Sequence, residues 1–255
     1  NDHVAFRTLG VENLGIASFE KLFLEHGYQK KEFYSFEAKK LNAYWYAPPS
    51  NKLPRIFMSE LRVSDLSNKA QEIIKKYTGS IKSDPVDQLD LKDPSQIIDF
   101  FEKPLWKLPT LDDYNDLLNE SEYAAWVIYN RYYLNHYTIS VHELPNGYDK
   151  LEKFNEFIRD LGIKLNDAGG VIKTSKDGLL LQSSSVAEMI TADFDGNESQ
   201  KIAGSYVEFA ERRILSEFQN LDPKLISSEH RRDGFETANA DKIFESTFIK
   251  QTKKS

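Results

Sequence analysis

The chain has 255 residues, of which 40% are hydrophobic and 13% aromatic, so it can bury a sizeable core and is not intrinsically disordered. It has no cysteine, which excludes disulfides, thiolate metal ligands and a thiol nucleophile. A net charge of −7 argues against nucleic-acid binding driven by charge, and no apolar run is long enough to span a membrane. Because the first residues lack the layout of a signal peptide, we expect a cytoplasmic protein.

Residues 1–65, the first module, predict the element order β-α-β-β-β. Apolar residues at helical spacing indicate a helix over Ile16–His26, with Ser18 as its N-cap. Segments rich in aromatic and β-branched residues, separated by prolines, are typical of strands. These strands are expected at His3–Leu9, Glu32–Phe36, Leu41–Ala47 and Arg55–Val63.

The same element order returns in residues 134–213, the second module. An amphipathic helix is predicted over Tyr148–Leu161, and Asp177-Gly178 is a hairpin-turn signal. Strands are expected at Asn135–Leu144, Val171–Ser175, Leu179–Ser184 and Gly204–Arg212. A repeated module indicates two similar units that pack together into one cupped sheet around a site.

The remaining segments are predicted to be helical. Residues 66–133 have helix-like apolar spacing that is interrupted by prolines, and residues 214–255 are expected to hold one or two further helices. The sequence therefore predicts a single α+β domain, 1–255. In it, two β-α-β-β-β modules form a cupped sheet, with a helical insertion between them and a helical C-terminal tail. The oligomeric state stays open.

Two of the five histidines occupy matching places in the two modules. His3 opens the first strand of the first module and His136 opens that of the second, so pseudo-symmetry would bring them together. Glu208, on the last strand of the second module, is a third candidate ligand. Two imidazoles and one carboxylate can hold Fe(II) and leave positions for a substrate and O₂. The alternative for each histidine is a hydrogen-bonded structural role at the start of a strand.

Other acidic residues and histidines compete for this site. Glu208 and Glu211 are three residues apart on one strand, so they face opposite sides, and Glu211 shares its face with apolar residues. Glu60, on the matching strand of the first module, is a candidate fourth acid or a surface salt-bridge partner. His142 shares the face of His136 but would lie roughly 20 Å further along, which argues against both binding one ion.

Three further side chains are candidates for binding a substrate. Arg7 lies four residues after His3, on the same face of the strand, and its planar fork suits a carboxylate. A surface arginine is the alternative. Gln182 and Ser184 follow the apolar run Leu179–Leu181 and could donate hydrogen bonds to an oxo acid. The alternative for these two is a strand that reaches the surface.

Several segments, taken in order, resemble the 2-oxoadipate dioxygenase/decarboxylase family, also called 2-hydroxyglutarate synthases. The segments are Asp2–Arg7, Asn135–Thr138, Gly178–Ser184 and Gly204–Arg212, and the tail motif Arg232–Thr247 extends the resemblance over nearly the whole chain. The last strand is also similar, more distantly, to 4-hydroxyphenylpyruvate dioxygenases. There the metal-binding glutamate lies four residues before an arginine, which matches Glu208.

This resemblance implies a vicinal-oxygen-chelate fold with Fe(II) bound by His3, His136 and Glu208, and Arg7 on the distal carboxylate of the substrate. It implies that 2-oxoadipate and O₂ yield 2-hydroxyglutarate and CO₂, with the tail segment Phe235–Phe244 closing over the pocket. Two other hypotheses stay open. One is a hydrolase or isomerase on the same fold that uses Zn²⁺, Mn²⁺ or Ni²⁺, and the other is a non-catalytic module that binds dicarboxylates.

Overall fold

A computed structural model describes residues 1–253, so the last two residues of the predicted tail lie outside the described part. The strands are β1 (His3–Leu9), β2 (Gln29–Phe36), β3 (Leu41–Ala47), β4 (Arg55–Leu61), β5 (Leu134–Ser140), β6 (Lys173–Thr174), β7 (Leu180–Ser184), β8 (Met189–Phe194), β9 (Glu198–Ala203) and β10 (Tyr206–Arg212). The helices are α1 (Ile16–Phe19), α2 (Lys21–Leu24), α3 (Asn68–Thr78), α4 (Pro94–Glu102), α5 (Leu111–Glu120), α6 (Glu122–Asn130), α7 (Leu151–Asp160), α8 (Thr237–Ile243) and α9 (Ile249–Thr252).

Eight of these strands form one sheet in the order β2-β3-β4-β1-β5-β10-β7-β6. In the first module β1 is parallel to β4, and β3 is antiparallel to β4 and β2. In the second module β5 is parallel to β10, and β7 is antiparallel to β10 and β6. The modules meet where β1 pairs antiparallel with β5. The predicted α+β fold, with two β-α-β-β-β modules in one sheet, is confirmed.

The helices of the two modules pack on the same face of the sheet. Phe19 of α1 packs against Phe6 of β1, and Phe154 of α7 packs against Phe209 of β10, each pair with ring centroids 5.0 Å apart. Because side chains alternate along a strand, His3 and the other odd-numbered residues of β1 point to the opposite face. That face is therefore left for the site.

The insertion and the tail complete the fold. Helix α6 is buried along most of its length, and Trp126 donates a hydrogen bond from Nε1 to the carbonyl of Gly204 at 3.0 Å. The tail crosses the site face, where Phe244 contacts Phe36 with ring centroids 5.1 Å apart. Within residues 1–253, no helix has both the length and the apolar character needed to cross a membrane.

The first predicted helix is wrong in detail. In place of one helix over Ile16–His26 there are the two short helices α1 and α2, and Ser18 lies inside α1 rather than at its N-cap. The N-cap is Gly15, which has no side chain to accept a hydrogen bond. Instead, the backbone N–H of Ile16 donates to Oε2 of Glu60 at 2.8 Å. This partner lies on β4, and no local sequence pattern could indicate it.

The second module differs from expectation in three places. The predicted strand Asn135–Leu144 ends at Ser140, where one turn of 3₁₀ helix begins, and the strand expected at Val171–Ser175 is only the two-residue β6. The hairpin of β8 and β9 was not predicted and lies between β7 and β10 in sequence. Its turn contains Gly196 (φ 99°) and Asn197 (φ 60°), residue types that tolerate positive φ.

Candidate metal centre

The three predicted ligands meet at the junction of the two modules. His3 lies on β1, His136 on β5 and Glu208 on β10. In the parallel ladders, His3 is opposite Arg55 of β4, and His136 is opposite Tyr206 of β10. The two histidines therefore occupy equivalent positions, as their places in the sequence indicate.

The distances between the three side chains fit one small metal ion. Nε2 of His136 is 3.1 Å from Oε2 of Glu208, Nε2 of His3 is 3.5 Å from the same oxygen, and the two Nε2 atoms are 3.4 Å apart. Ligands about 2.1 Å from one ion lie about 3.0 Å apart at a right angle and about 3.4 Å apart at the tetrahedral angle. Within residues 1–253, only this group of three combines His, Asp or Glu atoms close enough to share an ion.

The residue before each histidine orients its ring. Oδ1 of Asp2 is 2.9 Å from Nδ1 of His3, and Oδ1 of Asn135 is 3.1 Å from Nδ1 of His136. Each ring thus directs Nε2 at Glu208, an arrangement typical of metal-binding histidines. Sequence reasoning missed both partners, although an Asp or Asn precedes the histidine in each module.

Asp2 is itself held by a buried arginine. Arg212 donates from Nε to Oδ2 of Asp2 at 2.7 Å and from Nη2 to Oδ1 at 2.8 Å. Burial acts to raise the pKa of Asp2, but Arg212 and then His3 bring this pKa well below its usual range. Asp2 therefore stays ionised and can hold Nδ1 of His3 as a hydrogen-bond donor.

Charge at the three ligands suits a cation. Burial acts to raise the pKa of Glu208, but the two imidazoles lower this pKa to about 2. Burial lowers the pKa of His136 to about 4, whereas at His3 the effect of burial is outweighed by Glu208 and Asp2, which raise the pKa of the ring. Metal binding requires an ionised carboxylate and neutral imidazoles, and a divalent ion would replace the positive charge of a protonated His3.

The two candidate residues of β7 differ in their surroundings. Gln182 donates from Nε2 to Oε1 of Glu208 at 2.6 Å, so it contacts the predicted ligand directly. Ser184 lies beside Glu208 in the ladder, but its hydroxyl is 2.8 Å from that of Ser246 in the tail. Gln182 lines the cavity in front of the ligands, and Ser184 is not among the lining residues.

This cavity is small, with a volume of about 20 Å³, which is space for about one water molecule, and it lies between the sheet and the tail. The sheet contributes His3, Phe57, His136, Gln182, Tyr206 and Glu208, and the tail contributes Phe235, Ala240, Ile243 and Phe244. Phe57 occupies the position on β4 that corresponds to Glu208 on β10, because the ladders align Arg55 with Tyr206. The position that would be pseudo-symmetric to Glu208 therefore holds an apolar ring and supplies no fourth metal ligand.

Arg7 is a buried cation without a counter-ion. It is 1% exposed and donates to Oγ1 of Thr247 at 2.9 Å and to the carbonyl of Phe244 at 3.1 Å, while its Nε has no partner. No acidic side chain within residues 1–253 forms an ion pair with it, and Glu122 acts only at longer range. Burial lowers the pKa of this guanidinium. The rings of Tyr123, Trp126 and Phe244 surround the guanidinium, with centroids 5.1–5.7 Å from Cζ, and Arg7 is not among the residues that line the cavity.

The competing residues lie elsewhere. Glu60 and Glu211 are equivalent in the two modules, and each accepts a hydrogen bond at 2.8 Å from the first helical N–H of its module, that of Ile16 and of Leu151. Glu60 is therefore a helix-capping residue and not a fourth acid of the site. His142 lies beyond the end of β5, where its Nδ1 accepts a hydrogen bond from the backbone N–H of Arg212.

Similarity to known proteins shows which family the chain belongs to. The family model of 2-oxoadipate dioxygenase/decarboxylase matches residues 1–221. The chain is 44% identical over 261 residues to the chloroplastic 2-oxoadipate dioxygenase/decarboxylase of Arabidopsis thaliana, covering 98% of this chain and 68% of the relative. The chain belongs to the 2-oxoadipate dioxygenase/decarboxylase family.

Solved structures agree with the assignment to the 2-oxoadipate dioxygenase/decarboxylase family. The hydroxyglutarate synthase of Oryza sativa, crystallised in complex with 2-oxoadipate, superposes with a TM-score of 0.91 at 43% identity, covering 99% of this chain and 82% of that one. A protein from Ralstonia eutropha assigned to the glyoxalase superfamily superposes with a TM-score of 0.68 at 22% identity, covering 83% of this chain and 72% of that one. The second match supports the fold alone.

One expectation about this family member is wrong. The sequence was expected to be that of a cytoplasmic protein, but the Arabidopsis relative is named as chloroplastic. The prediction of a cytoplasmic location rested on composition and on the first residues, and neither of these can distinguish the cytoplasm from a plastid.

Proposed function

We propose that this chain is an Fe(II)-dependent dioxygenase that converts 2-oxoadipate and O₂ to 2-hydroxyglutarate and CO₂. The observation that carries the proposal is the buried group of His3, His136 and Glu208, together with a buried arginine on the strand face of His3 that has no acidic side-chain partner among the described residues. Two histidines and one carboxylate with open positions are the ligand set of non-haem Fe(II) oxygenases. When bound, Fe(II) would supply positions for the 2-oxo acid and O₂, and electrons for the oxidative step.

The reaction balances without another oxidant. The bond between C1 and C2 of 2-oxoadipate breaks and C1 leaves as CO₂, while C2 becomes a carboxylate that carries one oxygen atom of O₂. The second oxygen atom becomes the hydroxyl on the neighbouring carbon. No external reductant is required, because the substrate supplies the electrons.

Arg7 is proposed to bind the distal carboxylate of the substrate. Its Nη atoms donate to Thr247 and to the carbonyl of Phe244, which are neutral acceptors. A carboxylate would replace them with two parallel hydrogen bonds in which both partners are charged, and this geometry adds both energy and orientation. Binding would thereby fix the carbon chain relative to the metal, so that the carbon to be hydroxylated is held in place.

The aromatic wall is proposed to exclude water. Phe57, Phe235 and Phe244 line the cavity, and the ring centroid of Phe235 is 4.7 Å from that of His3. A dry cavity strengthens the hydrogen bonds to the substrate and protects reactive intermediates from water. Gln182 and Ser184 were predicted to bind substrate, and direct contact is proposed for Gln182 alone. Its place in the cavity lining supports this role, whereas the hydroxyl of Ser184 is 2.8 Å from that of Ser246.

The test is O₂ uptake by the Fe(II)-loaded protein with 2-oxoadipate, with CO₂ and 2-hydroxyglutarate measured in the same reaction. We expect one O₂ consumed for each CO₂ and each 2-hydroxyglutarate formed. Five-carbon 2-oxoglutarate, which is one methylene shorter, is the matched control substrate and should react more slowly. Bound iron without O₂ uptake would contradict the proposal and favour a metal-dependent hydrolase or isomerase instead.

A further inference from the structure

Asn239 of the tail helix α8 is surrounded by hydrogen-bond acceptors. It is 2% exposed, and its Nδ2 lies 3.0 Å from Oε1 of Gln182, 3.3 Å from the carbonyl of Lys173 and 3.4 Å from the carbonyl of Leu180. Carbonyl oxygens can only accept, so the side-chain amide group of Asn239 has to be a donor at this place. The oxygen of Gln182 must therefore be the atom that faces it.

The orientation of the Gln182 amide decides whether an NH₂ group or a carbonyl oxygen faces the carboxylate of Glu208. With Oε1 turned to Asn239, the amide NH₂ of Gln182 points at Oε1 of Glu208, at 2.6 Å. The other carboxylate oxygen, Oε2, is then the one that faces the two histidines, at 3.1 Å and 3.5 Å. A glutamine amide that is turned over would instead place its oxygen against the carboxylate, and the two would repel each other.

We propose that Asn239 is a positioning residue for the metal carboxylate. It acts through Gln182, which it holds in the one orientation that donates to Glu208. Because Asn239 belongs to α8, the metal site is complete only when the tail helix is seated against β6 and β7. The inference rests on the proposed function in one respect, namely that His3, His136 and Glu208 bind a divalent metal.

Two substitutions separate this role from simple packing. Asn239→Asp keeps the size of the side chain but replaces the donor with an acceptor, which favours the turned-over orientation of Gln182. Asn239→Ala removes the side chain and leaves Gln182 free to keep its donation to Glu208. If Asn239 acts through Gln182, the Asn239→Asp variant should bind metal more weakly than Asn239→Ala. If Asn239 only fills space, Asn239→Ala should bind metal more weakly than Asn239→Asp.

The experiment measures Co²⁺ affinity by competition with a chelator and records the visible spectrum of the Co²⁺ complex. We expect Asn239→Asp to lose about 10-fold to 100-fold in affinity, as for other residues that orient metal ligands, and to change the spectrum. Asn239→Ala should lose only a few-fold. Wild-type affinity for Asn239→Asp, or a greater loss for Asn239→Ala, would overturn the proposal.

Asn155→Asp is the matched control. Asn155 is also 2% exposed, and it accepts a hydrogen bond from Ser183 on the opposite face of β7. It should alter thermal stability but leave the Co²⁺ spectrum unchanged. If Asn239→Asp does not fold, Gln182→Met takes its place, since it removes the donor to Glu208, and wild-type Co²⁺ affinity in that variant would overturn the proposal. Turnover of 2-oxoadipate by the wild-type protein is measured separately, so failure of the proposed function is distinguishable.

Discussion

The two modules have the same topology, but their inner faces have different chemistry. The ladders align Phe57 with Glu208, and the antiparallel neighbours of these residues are Trp45 and Ser184. The second module thus supplies polar groups, while the first supplies an aromatic wall that Phe235 extends, with its ring centroid 4.8 Å from that of Phe57. Only the histidine positions are shared. The repeated module positions the two histidines, and the difference between Phe57 and Glu208 leaves one side of the proposed metal without a protein ligand.

Positions that serve the frame are kept in both halves. Glu60 and Glu211 both cap the first helix of their module. Asp2 and Asn135 both orient the histidine that follows them, although only Asp2 is charged and paired with an arginine. Residues that hold backbone or ligands in place are therefore symmetric, and the residues proposed to contact a substrate are not.

The largest expected effect on turnover comes from substituting Glu208, and Glu211 on the other face of the same strand provides the comparison. Glu208→Gln should lose metal binding and reduce turnover by about 1,000-fold or more, equivalent to about 4 kcal/mol, because it removes a charged ligand. Glu211→Gln should keep the metal and lose about 1–2 kcal/mol of folding stability, because it weakens a helix cap. Metal content and thermal unfolding measure the two outcomes. Equal metal loss in both variants would remove the distinction between the two faces of β10.

The next effect concerns Arg7, whose counterpart in the second module is Ser140. Arg7→Met should bind iron normally but lose about 30-fold to 1,000-fold in kcat/KM for 2-oxoadipate, as expected when a buried charge pair loses one partner. Ser140→Ala is the control and should leave kinetics unchanged. The comparison is made with a 2-oxo acid of similar length that lacks the distal carboxylate, for which Arg7→Met should cost little. A similar loss with both substrates would show that Arg7 is structural.

A smaller change in turnover is expected when position 57 of the first module is given the same residue as its equivalent, Glu208, in the second. Phe57→Glu places a carboxylate at the position equivalent to Glu208, where it can act as a fourth metal ligand. We expect metal to stabilise this variant more than it stabilises the wild type, and turnover to fall by about 10-fold or more because one open position is taken. Phe57→Leu, which keeps the wall apolar, is the control. Unchanged turnover in Phe57→Glu would mean that the ring does not face the open side of the metal.

The last expected effect is on stability at high pH and leaves turnover at neutral pH unchanged. It lies at the edge strands, which also differ between the modules. Lys30 and Lys31 of β2 are exposed, whereas Lys173 of β6 is 4% exposed, and burial lowers its pKa from 10.5 to about 8. Between these pH values the unfolded chain binds more protons at this residue than the folded chain, so unfolding free energy should rise with pH, by at most about 3 kcal/mol. Lys173→Met should lack this rise. Denaturant unfolding of both proteins at pH 7.5 and 10 measures the difference, and parallel curves would contradict it.

Much of the fold follows from local patterns, and the failures have a common cause. Strands β1 and β3 begin and end where their residue patterns indicate, because those patterns are local to each strand. The break between α1 and α2, by contrast, accompanies a helix start that is held by Glu60 of β4. The β8–β9 hairpin did carry local signals, because Ile190, Ala192 and Phe194 alternate with polar residues and Asp195-Gly196 marks the turn. Its second strand is weak in pattern, since Ile202 is the one buried residue of β9.

For the candidate site too, local sequence patterns predict some residues and miss those whose roles depend on distant contacts. The matching places of His3 and His136 and the opposite faces of Glu208 and Glu211 could be inferred from the sequence, because both depend on strand periodicity within a repeated module. The roles of Phe57 and Asn239 could not. The first depends on the register of β4, and the second on where a tail helix meets β7, and neither is written in local sequence.

The most direct test is a crystal structure of the protein grown with Fe(II) in the absence of O₂, with anomalous scattering recorded at the iron edge. The account predicts one iron peak per chain, about 2.1 Å from Nε2 of His3, Nε2 of His136 and one oxygen of Glu208. It also predicts that the ring of Phe57 stays at the position on β4 that corresponds to Glu208 on β10. A peak that lacks one of these three ligands, or no peak in crystals that contain iron elsewhere, would contradict it.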